Sequence, residues 1–332
     1  MKIGILGAGA MGNAHINGFK SLERQNGTYA AICDVDKTKC DAFAEKYGLR
    51  AYYDFDAMLA DSEIELVDIC LPSFMHEEFA VKAAGAKKHL LVEKPIAFTM
   101  EAARNIYAAA EKNGVRIMVA QVLRFWPEYL KIKEIYEAGE IGDIITIYAA
   151  RLGQMVTWGE WYKDPAKSGE TLMNLTLHDI DFLHYMLGKP KSVYSAGTRD
   201  KMDNYNDVMN IFKFKNGVNA MVDGSFSMTA GYPFTMRMRV LGTKGTLEFT
   251  FISGENIGPE STSSLLMYKP DDGGKKVEVE GYDAYGREIQ YFLNCIEKNE
   301  PTDAVSKESI LTVLSSVIAA KTSLADGRVH EL

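Results

Sequence analysis

The sequence predicts a doubly wound parallel α/β domain followed by an α+β domain built on a mainly antiparallel, open sheet. Three observations carry this. Apolar runs alternate with helical patterns from Lys2 to Ala120. Beyond Arg124, strand-like stretches succeed one another through tight turn signals. The length, 332 residues, suggests about two domains at ~150 residues each.

In the first part the apolar runs are Lys2–Leu6, Thr28–Cys33, Leu66–Leu71, His89–Val92 and Arg116–Ala120. They read as strands buried on both faces. The helical patterns Gly12–Arg24, Asp36–Tyr47, Met75–Ala84 and Met100–Asn113 lie between them, so the sheet is parallel. Gly48, Gly85 and Asn113-Gly114 punctuate the units. In the second part the strand-like stretches are Ile144–Leu152, Ser192–Thr198, Val208–Phe214, Val218–Phe226, Thr235–Leu241 and Thr246–Phe251. Asn216-Gly217 and Gly242-Thr-Lys-Gly245 join successive strands as hairpins do. Helical stretches at Thr171–Leu187 and Ala284–Glu297 interrupt the sheet, and Lys307–Leu324 reads as a closing helix. The expected division is residues 1–121 and 122–332.

Composition narrows the function. Lys and Arg number 37 against 45 Asp and Glu, a net charge of −8, which suits nucleic acid poorly. The residues are 47% hydrophobic and 25% charged, ordinary for a globular chain. No apolar stretch approaches the ~18 residues of a membrane span. The opening MKIGILGAGAMG is too short and glycine-broken for a secretion signal. Cys33, Cys40, Cys70 and Cys295 form no CxxC or zinc spacing, so no metal site is expected and a reducing, cytoplasmic setting is.

Gly7-Ala-Gly9-Ala10-Met11-Gly12 follows the first strand and opens a helix. The first glycine permits a tight turn, the second lets backbone approach a pyrophosphate, and the third lets helix and strand pack closely. The helix N-terminus then offers free N–H groups to the phosphates. An isolated GxGxxG also arises from packing alone, but here the required strand and helix flank it. Asp34 ends the second strand, where a carboxylate can hydrogen-bond both ribose hydroxyls and repel a 2′-phosphate. That favours NAD over NADP, with Lys37 and Lys39 close enough to complicate the choice. Asp34 or Asp36 can equally cap the following helix.

The run His89–Val92 ends in Glu93-Lys94-Pro95, at the carboxyl end of a strand, where such sheets bind ligands. Alone, this tripeptide reads as a solvated surface pair. Together with Gly7–Gly12, Asp34, Leu71-Pro72-Ser73…His76, Trp161-Tyr-Lys-Asp-Pro165 and Ser168–Asp181, it resembles the glucose–fructose oxidoreductase / inositol dehydrogenase / rhizopine-catabolism (Gfo/Idh/MocA) family over nearly the whole chain. The resemblance implies a Rossmann domain and a substrate domain. It also implies that Lys94 touches both the substrate hydroxyl and the nicotinamide ribose. Leu71, Pro72 and His76 would line the cofactor cleft, although His76 can instead be a helix-terminal histidine bonding backbone. Glu93, Gln121 and Trp161 join the cofactor set, and Arg124 the substrate set. Of the aromatics Phe125, Trp126, Trp158, Trp161 and Tyr162, core or interface is the commoner fate, so Trp161 alone enters the site.

On a helical wheel at ~100° per residue, Asn174, His178, Asp181 and Tyr185 share one stripe, opposite Leu172, Leu175, Phe182, Leu183 and Met186. Asp179 falls near the apolar side and needs its own partner there. The resemblance aligns His178 with the family's general base, a role that suits a pKa of ~6.5. Asn174 stands where the family has aspartate, so an amide replaces the charge that would orient the imidazole; Asp181 is the nearest substitute. The family's triple glycine is here Ser168-Gly169-Glu170, and its Trp-Arg is Trp161-Tyr162.

The expected activity is hydride transfer between NAD and a hydroxyl-bearing carbon of a sugar, sugar derivative or cyclitol. Lys94, His178 and Asn174 are the catalytic set, and Lys94, Arg124, Asn174, His178 and Asp181 the substrate contacts. Two other readings stand beside it: an NAD-dependent glycosidase with transient oxidation, and a non-catalytic NAD- or sugar-sensing protein. The expected partners are a small polyol and further copies of the chain, as a homodimer or homotetramer. No nucleic acid or membrane is expected.

Overall fold

The computed structural model describes residues 1–157, 159–201, 203–254, 261–270 and 272–332. They form two compact units, one of Met1–Phe125 with Tyr282–Leu311, the other of Trp126–Gly281 with Thr312–Leu332. Trp158 lies outside the described residues.

The first unit runs β1 (Lys2–Leu6), α1 (Ala10–Lys20), β2 (Thr28–Cys33), α2 (Lys37–Tyr47), β3 (Arg50–Tyr52), α3 (Phe55–Ala60), β4 (Leu66–Ile69), α4 (His76–Gly85), β5 (His89–Glu93), α5 (Met100–Asn113) and β6 (Ile117–Ala120). The strands form one sheet in the order β3-β2-β1-β4-β5-β6, every pair parallel. Strand order reverses between β1 and β4, which places the ligand crevice outside their carboxyl ends. Ile3, Ile5, Val67, Leu90, Leu91, Val92 and Val119 are buried, as double-faced coverage requires.

The second unit adds α6 (Pro127–Glu137), β7 (Ile144–Leu152), α7 (Pro165–Ser168), α8 (Leu177–Leu187), β8 (Pro190–Arg199), β9 (Tyr205–Phe214), β10 (Asn219–Ser225), β11 (Phe234–Gly242), β12 (Thr246–Ser253), β13 (Ser261–Lys269) and β14 (Gly273–Lys276). The chain continues through α9 (Ala284–Glu297) and α10 (Lys307–Asp326) to β15 (His330–Glu331). The second sheet has nine strands in the order β14-β13-β12-β11-β7-β10-β9-β8-β15. All its pairs are antiparallel except β7 with β10. One face buries Val208, Phe212, Val222, Met238, Val240 and Phe249. The register sets Tyr194, Met209, Ile211, Leu241 and Tyr268 on the other, where they are exposed.

Two departures from the sequence reading have plain causes. The chain does not divide at a single crossing after residue 121, because Tyr282–Leu311 returns to the first unit. Helix α9 packs on α1 so closely that a Cβ on Gly18 would lie 2.2 Å from the Asp283 carboxylate, and one on Gly286 would lie 2.2 Å from the Gly18 carbonyl. Second, the stretch Asp303–Asp326 is long and apolar enough to cross a membrane by composition. In the fold it is a core helix, with Ile310, Val313, Leu314, Val317 and Ala320 buried.

Candidate active site

In the first unit, β1 stops at Leu6 because Gly7 turns the chain with φ +109°, a conformation that disfavours any Cβ. A Cβ there would sit 2.7 Å from the Cys70 carbonyl, and one on Gly12 would sit 2.4 Å from the Gly7 carbonyl. Packing therefore demands both glycines. Gly9 differs: a Cβ would meet nothing within 4 Å. Its openness is what a pyrophosphate approaching the backbone needs, and packing does not explain it. Gly9 is the N-cap of α1 with no side-chain cap, and the first turn of α1 has no acidic residue, which leaves that helix end receptive to an anion. The loop thus fits the diphosphate of a dinucleotide, with Ala10 and Met11 in the first turn.

Asp34 and Asp36 divide the two roles that the sequence left open. Asp36 caps α2, accepting the Lys39 N–H at 3.2 Å. Asp34 accepts the Ala8 N–H at 2.9 Å on one oxygen and the Asp36 N–H at 2.9 Å on the other. Two N–H donors hold both oxygens and tie the β2 end to the glycine loop.

Glu93-Lys94-Pro95 leaves the carboxyl end of β5 held on both sides. The Lys94 N–H donates to Glu93 Oε2 at 2.9 Å. The Pro95 carbonyl lies 2.8 Å from His76 Nδ1, while His76 Nε2 lies 2.9 Å from the Leu71 carbonyl. His76 is fully buried, and burial pushes its pKa below the usual value despite both carbonyls. Both ring nitrogens bracket backbone, the alternative the sequence offered for His76, and join the segment at Leu71-Pro72 to the one at Pro95. Arg124 is tethered too. It is 2% exposed and donates to the Ala304 carbonyl at 2.8 Å and to Ser309 Oγ at 2.9 Å, which makes it an anchor for the returning segment. Gln121 is buried at the end of β6.

In the second unit, His178 is half-buried at the start of α8. The helix does not begin there. Leu172–Thr176 is a π turn, in which the Leu177 N–H reaches back to the Leu172 carbonyl. The extra residue breaks the 100° step, so Asn174 does not stand one regular α-turn before His178 as the wheel supposed. The Asn174 amide donates to the Ser168 carbonyl. Thr171 and Thr176 are buried against Gly224 of β10, where a Cβ would lie 2.1 Å from the Thr176 methyl.

Asp179 finds the partner its position demands. Arg151 Nε donates to Oδ2 at 2.8 Å and Nη2 to Oδ1 at 3.2 Å, with the Tyr129 hydroxyl 3.3 Å from Oδ1. Asp181 is also fully buried. Glu170 has φ +62°, a strained value for a residue with a Cβ, where the resembling family carries glycine. Its carboxylate accepts the Tyr205 N–H at 2.8 Å and pairs with Lys321 at 3.2 Å. Trp161 is half-buried, its ring stacked on Tyr162 with centroids 3.9 Å apart.

The sequence reading missed a buried ionic group in the first unit. His15 lies wholly inside, with Nδ1 3.0 Å from Asp68 and Nε2 2.9 Å from Glu93. A histidine three residues after the last glycine was its only signal. His15, Asp68 and Cys70 hold donor atoms within 4.8 Å of one another. Hydrogen bonds among themselves and from Tyr29 already occupy those donors.

Comparisons with known proteins follow this geometry. Residues 1–121 match the family model for an oxidoreductase family with an NAD-binding Rossmann fold, and residues 129–248 match the GFO/IDH/MocA C-terminal domain. The chain is 27% identical over 351 residues to the myo-inositol 2-dehydrogenase of Thermotoga maritima, covering 100% of this chain and 98% of that protein. It is 27% identical over 336 residues to the D-xylose 1-dehydrogenase (NADP(+)) 2 of Haloferax volcanii, covering 100% of both. Among solved structures, levoglucosan dehydrogenase in complex with NADH superposes with a TM-score of 0.86 at 21% identity, over 100% of this chain and 98% of that one.

Proposed function

The chain belongs to the Gfo/Idh/MocA family of NAD(P)-dependent oxidoreductases, and on that premise we propose that it oxidises a secondary hydroxyl of a cyclitol, sugar or sugar derivative. The observation that carries the proposal is the anchored Glu93-Lys94-Pro95 at the carboxyl end of β5, in the sheet whose β1–α1 turn leaves Gly9 open. Relatives named for inositol and xylose support the substrate class.

When bound, the nicotinamide supplies the hydride acceptor. His178 takes the hydroxyl proton on an imidazole nitrogen as the carbon gives up its hydride. Lys94 hydrogen-bonds the same oxygen and stabilises the charge that develops there. Asn174 and Asp181 shape the surroundings of His178. Gly7, Gly9, Ala10, Met11 and Gly12 receive the diphosphate, and Asp34 the adenine-side ribose. Leu71, Pro72, His76, Glu93, Lys94, Gln121 and Trp161 would complete the cofactor contacts. A carboxylate at Asp34, held at the end of β2, favours NAD, although one relative carries NADP(+) in its name.

A second copy of the chain would cover the open sheet face that bears Tyr194, Met209, Ile211, Leu241 and Tyr268. Light scattering of the wild type against Ile211→Glu tests this, since a loss of mass is expected. The four cysteines are free thiols, which supports a cytoplasmic setting.

The deciding experiment mixes protein with NAD+ or NADP+ and a panel of inositols, aldoses, sugar acids and aryl glycosides, following reduced-cofactor fluorescence and aglycone release together. Reduced cofactor appearing with one polyol class is the expected outcome. Lys94→Ala and His178→Ala should each lose ~10²–10⁴-fold in turnover while still binding NADH. Aglycone release without net reduction, or near-normal turnover in both variants, overturns the reading.

A further inference from the structure

We propose that His15 is a positioning residue for Lys94, acting through Glu93 from inside the first unit. The proposal rests on the reading of Lys94 as the substrate-contacting lysine. Four elements meet at one buried point. His15 comes from α1, Tyr29 from β2, Asp68 from β4 and Glu93 from β5, and each is buried.

The hydrogen bonds form one connected network. Tyr29 donates to Asp68 Oδ2 at 2.5 Å, and the Cys70 thiol to Oδ1 at 3.5 Å. His15 Nδ1 lies 3.1 and 3.0 Å from the two Asp68 oxygens. On the far side of the ring, Nε2 lies 2.9 Å from Glu93 Oε1. Both neighbours are carboxyl groups, whose acceptor oxygens favour a ring carrying hydrogen on both nitrogens. Burial alone would lower its pKa, but the Asp68 charge and hydrogen bond outweigh this and hold it well above the usual value.

Glu93 therefore has both oxygens engaged, one on His15 and the other on the Lys94 main-chain N–H at 2.9 Å. A carboxylate fixed at both oxygens cannot rotate, and its neighbour's backbone is fixed with it. His76 performs the matching task on the Pro95 carbonyl. The lysine thus leaves a main chain pinned before and after it. Because His15 rides on α1, whose N-terminus opens the glycine loop, the same histidine ties the phosphate-binding helix to the lysine strand.

The test labels the lysine amines of full-length protein by 13C reductive methylation, with the Lys94 signal assigned by its loss in Lys94→Arg. In His15→Gln and Asp68→Asn the Lys94 signal should move, and its titration midpoint should shift by about half a pH unit or more. Unlabelled variants should bind NADH and lose up to ~10²-fold in kcat with little change in coenzyme KM. Should either fail to fold, Tyr29→Phe, which removes one donor from Asp68, carries the same measurement. A folded variant whose Lys94 signal and titration match the wild type overturns the proposal. If the wild type turns over no polyol, the dehydrogenase reading fails by itself, and the Lys94 signal still decides the role of His15.

Discussion

Arg151 spans the carboxylate of Asp179 with two hydrogen bonds, Nε to Oδ2 at 2.8 Å and Nη2 to Oδ1 at 3.2 Å, both side chains almost wholly buried. Arg151 belongs to the central strand β7, and Asp179 is the residue after His178 on α8. The pair fixes the start of that helix to the sheet. Two charges removed from water tolerate no partial loss, since the survivor is left buried and uncompensated.

Asp179→Asn should therefore cost ~3–5 kcal/mol of stability. Replacing both partners, with Arg151→Met and Asp179→Leu, should restore much of it, because no buried charge then stands alone. Urea unfolding of the single and the double variant beside the wild type checks this. Equal stability of Asp179→Asn and the wild type would remove the anchoring role.

Glu288 makes stability depend on pH. It is fully buried, and neither carboxylate oxygen has a hydrogen-bond partner among the described residues. Burial raises its pKa well above the usual value; the His15 cation opposes this, and the Glu93, Asp68 and Asp283 carboxylates add to it. The native state thus keeps a proton that the unfolded chain releases above about pH 4.3. Stability falls as pH rises through that window, by up to ~1.4 kcal/mol per unit. The raised pKa of His15 has the same sign: its stabilisation is complete below about pH 6.5 and is lost as pH rises through the folded value. Glu288→Gln keeps the shape without the titration. Its stability relative to wild type should grow as pH rises above about 4.3, and a constant difference would contradict the account.

The sheets were legible because their signals are local. Runs such as Lys2–Leu6 and hairpins such as Asn216-Gly217 fix strand and turn within a few residues. The sequence reading missed β3, only three residues long and opened by Arg50, and also β13 and the edge strand β14, where Ser261–Ser264 and Gly273–Lys276 lack the apolar alternation of a half-buried strand. In the site, the glycines, Asp34, Lys94 and His178 stood out through motif and spacing. His15, Asp68 and Glu288 did not, because a buried ion network is assembled from separate elements and no spacing announces it. The π turn was hidden for a related reason: the wheel assumes 100° throughout, and the sequence Leu172–Thr176 is as compatible with a regular turn.

The proposal that Asp34 governs coenzyme choice rests on its charge. Both oxygens are held by main-chain N–H groups, so the carboxylate cannot swing away from a 2′-phosphate placed at the end of β2. Asp34→Asn removes the charge and keeps the size. The affinity for NADPH relative to NADH should rise at least tenfold, about 1.4 kcal/mol, in fluorescence titrations. An unchanged ratio would shift the choice to Lys37, Lys39 or another group.

Asn174 is the departure from the family pattern that invites repair, and the geometry argues that repair fails. Asn174 uses its amide N–H to satisfy the Ser168 carbonyl. That carbonyl precedes a turn in which Gly169 and Glu170 have φ of +69° and +62°, so the donor also steadies a strained backbone. Asn174→Asp would set a carboxylate oxygen against that carbonyl, with a lost hydrogen bond and a repulsion together. The cost should be ~1–3 kcal/mol, seen as a lower Tm. Because the π turn displaces residue 174 from the regular i, i+4 relation to His178, the new charge should leave the pH profile of kcat in place. A stable variant with faster turnover and a shifted acid limb would show that aspartate can act here as it does in the family.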